Sequence, residues 1–407
     1  MFFSFRYQPW KGLYLTYQLL STVFIRIPLW TIFNIPAALR PRRSWTLKRA
    51  VMVNALRHIF AVGDVSGPFL PTPNHTAIAP GANMNGVWVP PANHLITGKL
   101  TGWAAVAQVA SVRVPGYWIH ARGSALAVGA APQPGEKIVY QLHGGAYVRL
   151  SASPRDPTAN ISKGYVAHLT GVQRVFSIEY RLASAPPYAT EHPFPTQLLD
   201  ALAGYAYLVG LGFAPADIVV SGDSAGANLA LALTRYLVEY ADAPGVELPA
   251  PPGALILLSP WADIGSTTET LKSTGSVSTN LSSDYIRGDD STAWAKAAFT
   301  GPHGISAADT NDYISPASLH PELDVDFGGF PRTFIVAGGA EVLYDSIVTL
   351  RERMAANIGE GDGVRDREGK VRWHEAPDGV HDYLVFTWHE PERTDTFKAI
   401  DKWLNAS

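Results

Sequence analysis

"DIVVSGDSAGANLALALTRYLVEY", residues 217–240, predicts a buried strand, a tight turn and a helix in immediate succession. The turn is the pentapeptide "GDSAG", in which Gly222 and Gly226 allow the strand and the helix to approach closely. Such a turn holds its central residue, Ser224, in a strained and exposed position at the helix N-terminus. The pentapeptide alone is a weak signal, and a glycine and serine turn that merely caps a helix is the alternative. The flanking strand and helix favour the interpretation of Ser224 as a nucleophile.

The segments on both sides of this unit continue the alternation of strand and helix. Apolar, strand-like runs occur in "GYWIHA", "KIVYQLHGG", "VQRVFSIEYRL", "GALILLSPWAD", "TFIVAGG" and "VRWHEA". Helical spacing is found in "PTQLLDALAGYAYLVGLGF" and "SIVTLRERMAAN". This alternation predicts an α/β fold with a mostly parallel central sheet flanked by helices. Ligands of such sheets bind at the carboxyl ends of the strands.

The composition limits the chemistry that is available to this chain. Of its 407 residues, 47% are hydrophobic, 16% are charged and none is cysteine. The lack of cysteine excludes disulfides, a thiolate nucleophile and any metal held by cysteine. The sequence also lacks a Walker A motif, a G-x-G-x-x-G after a strand, an H-E-x-x-H and an EF-hand loop. We therefore predict no cofactor, no metal and no nucleic acid partner.

A serine hydroxyl needs a general base, and His381 is the candidate. It lies in "APDGVHDYLVF", after the last predicted strand, where Gly379 allows the chain to turn. The competitor His374 lies inside the strand "VRWHEA", where alternation makes it a sheet residue. Asp223 and Asp382 adjoin the nucleophile and the base. Because sequence neighbours do not usually face the same partner, we predict structural roles for both acids.

Attack on an ester or amide carbonyl also requires backbone N–H groups that stabilise the developing oxyanion. The segment "LHGGAYV" (142–148) follows a predicted strand, and its glycines allow the backbone to fold tightly. We predict Gly144 and Gly145 as donors, together with Ala225, the residue after the nucleophile. An ordinary glycine turn is the alternative.

The stretch "AGGAEVLYDS" (337–346) offers two acids, Glu341 and Asp345, that could orient the histidine. The acid must reach the far nitrogen of the imidazole from the carboxyl end of a strand. Glu341 comes just after the predicted strand. Asp345 lies a full turn further on, where a carboxylate stabilises the start of a helix. We therefore predict Ser224, Glu341 and His381 as the catalytic residues.

Six segments together resemble the hormone-sensitive-lipase-like branch of the α/β-hydrolases, which includes arylacetamide deacetylases and fungal steryl acetate hydrolases. In family order, within residues 137–388, these segments are "HGGAYV", "SIEYRLA", "EHPFP", "GDSAGANLA", "LLSPWAD" and "DGVHDY". The chain departs from the family pattern at Ala146, where a third glycine is common, and at "EVLYD", where the family has D-P-L-x-D. The resemblance implies an α/β-hydrolase fold and aligns Glu341 with the catalytic acid.

The same resemblance implies a serine carboxylesterase or lipase-like hydrolase that acts through an acyl-enzyme. Its substrates would be short-acyl esters of hydrophobic alcohols, such as steryl or aryl acetates. One alternative is an arylamide or arylformamide deacylase, which would use the same residues. Another is a non-catalytic receptor with a hydrolase fold, but such relatives usually lose the histidine that this chain keeps.

The first third of the chain is basic and apolar. Residues 1–135 contain 12 Lys and Arg residues and one acid, Asp64. The apolar run "LYLTYQLLSTVFIRIPLWTIF" (13–33) is long enough to span a bilayer, but Arg26 near its middle disfavours spanning. The basic cluster that follows comprises Arg40, Arg42, Arg43, Lys48, Arg49 and Arg57. We predict that residues 10–60 bind a membrane surface; a cap helix over the site and an organelle transit peptide are the alternatives.

These patterns predict two parts of the chain. Residues 1–114 form a basic, apolar segment that binds a membrane or caps the site, and residues 115–407 form the catalytic domain. A cap insertion is predicted over residues 265–315. The expected location is the endoplasmic reticulum or another intracellular membrane, with the cytoplasm as the alternative, and the sequence predicts no particular oligomeric state.

Overall fold

An eight-stranded sheet forms the centre of the computed structural model, which describes residues 3–67, 69, 73–265, 274–287 and 290–406. Its strands are β1 (Gly86–Val89), β2 (Val114–His120), β3 (Lys137–Leu142), β4 (Val172–Ile178), β5 (Ile218–Asp223), β6 (Ala254–Leu258), β7 (Arg332–Gly338) and β8 (Val371–Ala376). They lie in the order β1-β2-β4-β3-β5-β6-β7-β8. β2 pairs antiparallel with both of its neighbours, and the other neighbouring strands pair parallel. The predicted mostly parallel sheet is confirmed.

Helices pack on the sheet in two apolar clusters. The helices are α1 (Trp10–Ser21), α2 (Ile27–Asn34), α3 (Leu47–Ser66), α4 (Gly98–Ala107), α5 (Ala159–His168), α6 (Thr196–Gly210), α7 (Ala225–Glu239), α8 (Ser276–Thr279), α9 (Asp290–Thr300), α10 (Ala307–Thr310), α11 (Tyr344–Ile358) and α12 (Glu392–Leu404). One cluster contains residues of α6 and α7, and the other contains residues of α3, α5 and α12. Within β5, Val220 belongs to the first cluster and Val219 to the second. Successive strand residues point to opposite faces, so helices cover both sides of the sheet.

The parallel strands position the predicted site residues at one edge of the sheet. Ser224 follows β5, Gly144 follows β3, Glu341 follows β7 and His381 follows β8. Because parallel strands all end at the same edge, these segments meet there although they are distant in sequence.

The sheet begins before the predicted boundary at residue 115. Val89 of β1 pairs with Val114 of β2, and Leu100 and Ala104 of α4 lie in the apolar cluster that contains α6 and α7. Residues 86–107 therefore belong to the same folded unit as the rest of the sheet. Their sequence did not indicate this, because β1 has only four residues and its burial does not alternate.

The predicted apolar run 13–33 is divided among shorter helical elements. A π-helical turn, Thr22–Arg26, joins α1 to α2, and Pro28 lies at the start of α2. Within the part of the chain that the structure describes, no helix combines the length and the apolar character needed to cross a bilayer. α2 instead packs on α3, where the rings of Trp30 and His58 lie 6.0 Å apart.

Most of the predicted basic cluster is engaged within the protein. The arginines concerned are Arg40, Arg42, Arg49 and Arg57. Arg49 forms an ion pair with Glu392, with 2.6 Å between Nη2 and Oε2, and the other three donate hydrogen bonds to backbone carbonyls. Arg43 and Lys48 are exposed. The structure therefore does not present the whole cluster to an anionic surface, because guanidinium groups are used to satisfy carbonyl oxygens.

The predicted cap insertion, residues 265–315, lies partly outside the described residues. Its described portion contains α8, α9 and α10. Phe299 of α9 stacks on Tyr147, which follows β3, with 3.9 Å between ring centroids. The ring of Tyr285 lies 6.1 Å from that of His381. This portion, which we call the cap segment (residues 274–287 and 290–315), thus contacts loops at the carboxyl edge of the sheet.

Candidate active site

Ser224 lies at the turn between β5 and α7 in a backbone conformation that few residues adopt. Its φ is 52° and its ψ is −117°. A Cβ atom at Gly222 would lie 2.2 Å from the Gly226 carbonyl oxygen, and one at Gly226 would lie 2.1 Å from the Leu142 carbonyl oxygen. The turn therefore requires both glycines, as the pentapeptide predicts. Ser224 itself is only 8% exposed, so the strained position is as predicted but the predicted exposure is not.

His381 contacts Glu341 across the ends of β8 and β7. Nδ1 of His381 lies 2.8 Å from Oε2 of Glu341, and both residues are buried. Oε1 of Glu341 accepts hydrogen bonds from the Gly338 N–H at 2.6 Å and from Ser259 Oγ at 3.1 Å. These bonds hold the carboxylate in place, and the carboxylate can then set the tautomer and the orientation of the imidazole.

The two competing residues lie elsewhere. Asp345 is in the first turn of α11, where its Oδ2 accepts a hydrogen bond from the backbone N–H of Ser276 at 2.9 Å. His374 is within β8, with its Nε2 3.0 Å from Oγ1 of Thr396. Asp345 therefore connects α11 to the cap segment, and His374 is a sheet residue.

Burial and neighbouring charges shift the pKa values of Glu341 and His381 in opposite directions. Burial raises the pKa of Glu341 to about 7, although the hydrogen bond and the charge of His381 act to lower it. Burial acts to lower the pKa of His381, but the carboxylates of Asp382 and Glu341 outweigh it and raise that pKa well above its usual value. Two carboxylates thus stabilise the charged form of the imidazole.

One of the three predicted oxyanion donors has a different partner. The Gly144 N–H donates to Oδ2 of Asp223 at 3.0 Å, so it is not available to an oxyanion. The amides of Gly145, Ala146 and Ala225 have no acceptor among the described residues. Ala146, where the family commonly has glycine, adopts a φ of 53°, and Ala225 begins α7, where backbone N–H groups lack intrahelical partners. The structure therefore corrects the prediction for Gly144 and leaves these three amides available.

His143, beside Gly144, does not provide a second base. Its ring stacks on Tyr180 with 4.1 Å between centroids, and its Nδ1 lies 2.7 Å from the Gly144 carbonyl oxygen. Burial lowers the pKa of His143 to about 4, so its imidazole is neutral near pH 7. Across the described ranges, no three His, Asp or Glu side chains are grouped so that they could hold a metal ion.

Asp284, in the cap segment, connects the acid loop, which follows β7 and contains Glu341, to the histidine loop, which follows β8 and contains His381. Its Oδ2 accepts a hydrogen bond from the Val342 N–H at 2.8 Å, and its Oδ1 accepts one from the His381 N–H at 3.2 Å. Arg57 of α3 donates from Nε to the Asp284 carbonyl oxygen at 3.0 Å. The sequence does not indicate this positioning role, because no motif surrounds Asp284 and its contacts are made by folding alone.

Asp382 contacts the imidazole, contrary to the structural role predicted for it. Its Oδ2 lies 3.1 Å from Nε2 of His381, the nitrogen that would accept the serine proton if His381 is the general base. Asp382 adopts a left-handed backbone conformation, with φ 48° and ψ 37°. In an extended chain neighbouring side chains point to opposite sides, and this turn removes that alternation. Asp223 keeps a structural role, since it accepts hydrogen bonds from Gly144 and Gln141.

The family model described as alpha/beta hydrolase fold matches residues 139–385. The chain belongs to the α/β-hydrolase fold family. The match covers more than half of the chain, begins within β3 and ends just after His381, so it includes every predicted site residue. The predicted fold class is confirmed.

Several relatives of this α/β-hydrolase are named for ester hydrolysis. An esterase of Acinetobacter venetianus is 31% identical over 220 residues, which are 53% of this chain and 61% of that protein. An acetyl-hydrolase of Streptomyces hygroscopicus is 30% identical over 280 residues, 67% of this chain and 75% of its own length. Esterase LipU of Mycobacterium tuberculosis is 28% identical over 284 residues, 68% of this chain and 81% of its own. The chain thus matches less than two thirds of the Acinetobacter esterase.

Solved structures of other α/β-hydrolases share this architecture. A hormone-sensitive-lipase homologue from a metagenome library, EstE7, is 25% identical with a TM-score of 0.51 over 71% of this chain and 81% of its own. An esterase from the bacterial hormone-sensitive lipase family is 22% identical with a TM-score of 0.54 over 93% and 96% of the two chains, and supports the fold alone. The resemblance to hormone-sensitive-lipase-like hydrolases is confirmed. The arylacetamide deacetylase or steryl acetate hydrolase subtype stays a prediction.

Proposed function

We propose that this chain is a serine carboxylesterase with Ser224, Glu341 and His381 as its catalytic residues. The observation that carries the proposal is the His381–Glu341 contact at the same sheet edge as a serine held in a strained turn. These are the side-chain types that acyl transfer through a serine requires, and each comes from a different strand end. The relatives named as esterases support ester hydrolysis as the reaction.

In the proposed reaction, Ser224 Oγ attacks the ester carbonyl carbon while His381 accepts the hydroxyl proton. The imidazolium then donates that proton to the departing alcohol, and the acyl group remains on Ser224. Water attacks this acyl-enzyme with His381 again as the base, which releases the carboxylic acid and restores the serine. Glu341 holds the imidazole throughout. The amides of Gly145 and Ala225, with that of Ala146, would stabilise each oxyanion.

The aromatic surroundings of the histidine support esters of hydrophobic alcohols as substrates. Phe60 of α3 and Phe386 lie 5.1 and 5.4 Å from Tyr285, whose ring is the neighbour of His381. The relative named acetyl-hydrolase supports a short acyl group. We therefore propose aryl or steryl acetates as the substrate class. An arylamide or arylformamide deacylase would use the same residues and is the alternative.

A fluorophosphonate probe tests this proposal. The folded wild-type protein should be labelled at Ser224, as located by mass spectrometry, and labelling should abolish hydrolysis of p-nitrophenyl acetate. The Ser224→Ala variant should not be labelled. Turnover of an aryl acetate should exceed that of the matched arylacetamide; the reverse order would favour the deacylase. Failure of Ser224 to label in folded protein would contradict the serine hydrolase proposal.

We also propose that α1 and α2 bind the surface of a lipid bilayer. Their apolar side chains are unusually exposed, with Phe24 of the connecting turn 72% and Leu19 of α1 64% exposed. The buried residues of these two helices are the polar Ser21 and Asn34. Large exposed apolar surfaces mark interaction sites, and helices with such a face lie in the bilayer interface. Because most of the basic cluster is engaged internally, apolar contact should dominate the binding.

Sedimentation with phosphatidylcholine vesicles measures this binding. The wild-type chain should pellet with neutral vesicles, and high salt should change the bound fraction little. The double variant Leu19→Glu, Phe24→Glu should bind vesicles at least about tenfold more weakly than the wild type, because two charges would enter the apolar layer. Val106→Glu, at a 56% exposed position of α4, is the matched control and should pellet like the wild type. Equal pelleting of the double variant and the wild type would contradict the proposal.

A further inference from the structure

We propose that Asp382 is a positioning residue that holds His381 in its protonated form and sets the pH at which this base becomes active. The inference rests on the proposed function of His381 as a general base. Its observation is the contact of 3.1 Å between Asp382 Oδ2 and His381 Nε2. The hydrogen bonds among described residues include none between Ser224 Oγ and that nitrogen. The Asp382 carboxylate thus lies beside the nitrogen to which, under the proposed function, the serine hydroxyl donates.

The imidazole lies between two carboxylates. Its Nδ1 is 2.8 Å from Glu341 Oε2, and its Nε2 is 3.1 Å from Asp382 Oδ2. A neutral imidazole carries one N–H, whereas an imidazolium carries a positive charge and an N–H on each of the two nitrogens that lie near these carboxylates. The arrangement therefore favours the imidazolium. In that form Nε2 carries a proton and cannot accept another from Ser224.

The other titratable groups around the ring do not oppose its positive charge. Asp284, from the cap segment, accepts the hydrogen bond of the His381 backbone N–H. Burial raises the pKa of Tyr285, whose ring faces the imidazole, well above its usual value, so the phenol is neutral. Burial and then the charge of Asp382 raise the pKa of Asp223 well above its usual value. The described groups that face the imidazole are therefore acidic or neutral.

Activity then requires the proton on Nε2 to leave first. As the pH rises, that proton passes to solvent and the Nε2 lone pair becomes free. The attraction between the Asp382 carboxylate and a positively charged ring is then lost, and the Ser224 hydroxyl can donate to Nε2. A base with a raised pKa stays protonated up to a higher pH. Asp382 therefore shifts the acid limb of kcat/KM to higher pH, and removing its charge should shift that limb to lower pH.

The variant Asp382→Asn tests this role. Asparagine tolerates the left-handed backbone at this position, so the fold should persist, as a thermal melt would check. The His381 imidazole is titrated by NMR, with its signals assigned by their loss in His381→Gln, and kcat/KM for p-nitrophenyl acetate is measured against pH. We expect the midpoint of the His381 NMR titration and the midpoint of the acid limb of kcat/KM to fall by about one to three pH units. Below the wild-type acid limb, kcat/KM should rise about tenfold or more.

The matched control is Asp378→Asn, in the same loop. Its Oδ1 accepts a hydrogen bond from Ser44 Oγ at 2.8 Å, and both of its midpoints should equal those of the wild type. An unchanged NMR midpoint in Asp382→Asn overturns the inference, whether or not the chain hydrolyses esters. An equal shift in Asp378→Asn also overturns it, because the cause would then be a general loss of negative charge. A shifted NMR midpoint without any ester turnover in the wild type would support the contact and contradict the proposed function.

Discussion

Replacing Ser224 by alanine is expected to lower kcat/KM for p-nitrophenyl acetate by about 10⁴-fold to 10⁶-fold. The change removes the oxygen that would form the bond to the acyl group. It leaves the base and the available amides in place. Alanine carries the same Cβ as serine, so the strained φ of 52° should cost neither residue more than the other. Steady-state hydrolysis and a thermal melt of the same preparation measure the two effects separately.

Ser278→Ala is the matched control for this variant. Ser278 is exposed in α8, and its replacement should leave kcat/KM within about twofold of the wild type. A tenth or more of the wild-type activity in Ser224→Ala would be far above the expected residual activity. Another group would then have to be the nucleophile.

Replacing Glu341 by glutamine should lower kcat by about 10³-fold to 10⁴-fold, with the fold retained. Oε1 must continue to accept from Gly338 and Ser259, so the glutamine NH₂ group would face His381. An imidazole that accepts at Nδ1 carries its proton on Nε2 and cannot serve as the base for Ser224. The measurement is kcat at saturating ester, together with fluorophosphonate labelling, which should slow in parallel.

Asp345→Asn is the comparison that distinguishes the two acids. The asparagine oxygen can still accept from the Ser276 N–H, so kcat should change little. The loss of a negative charge from the first turn of α11 should reduce the stability of the fold by about 0.3–1 kcal/mol. Loss of activity in Asp345→Asn, with activity spared in Glu341→Gln, would show that the two roles are reversed.

Much of the fold could be predicted because local sequence and tertiary structure agree in the centre of the sheet. β6 is buried at every position, and its continuous apolar run "ALILL" is typical of a strand covered on both faces. The edge strand β1 could not be predicted, because four residues without alternation resemble a loop. The N-terminal run showed apolar length alone, and the division of its helix by a π-helical turn became visible only in three dimensions.

The candidate site shows the same division. Ser224 and His381 stood out because tight turns need glycines, and glycines leave a visible pattern next to the reactive residue. Glu341 could be chosen over Asp345 by its distance from the end of a strand. The partner of the Gly144 amide could not be predicted, since the Asp223 carboxylate reaches it only across neighbouring strands.

The sequence by itself determined the order of the candidate site residues along the chain: a serine in a tight turn, an acid after a strand and a histidine after the last strand. These features are local, because backbone turns and strand burial constrain residues that are close in the chain. Only the tertiary structure decided the contacts between distant segments. Asp284 of the cap segment holds the acid and histidine loops together, and the left-handed turn at Asp382 directs a carboxylate to the far side of the imidazole. Such contacts depend on side-chain direction and burial, which the order of residues does not specify.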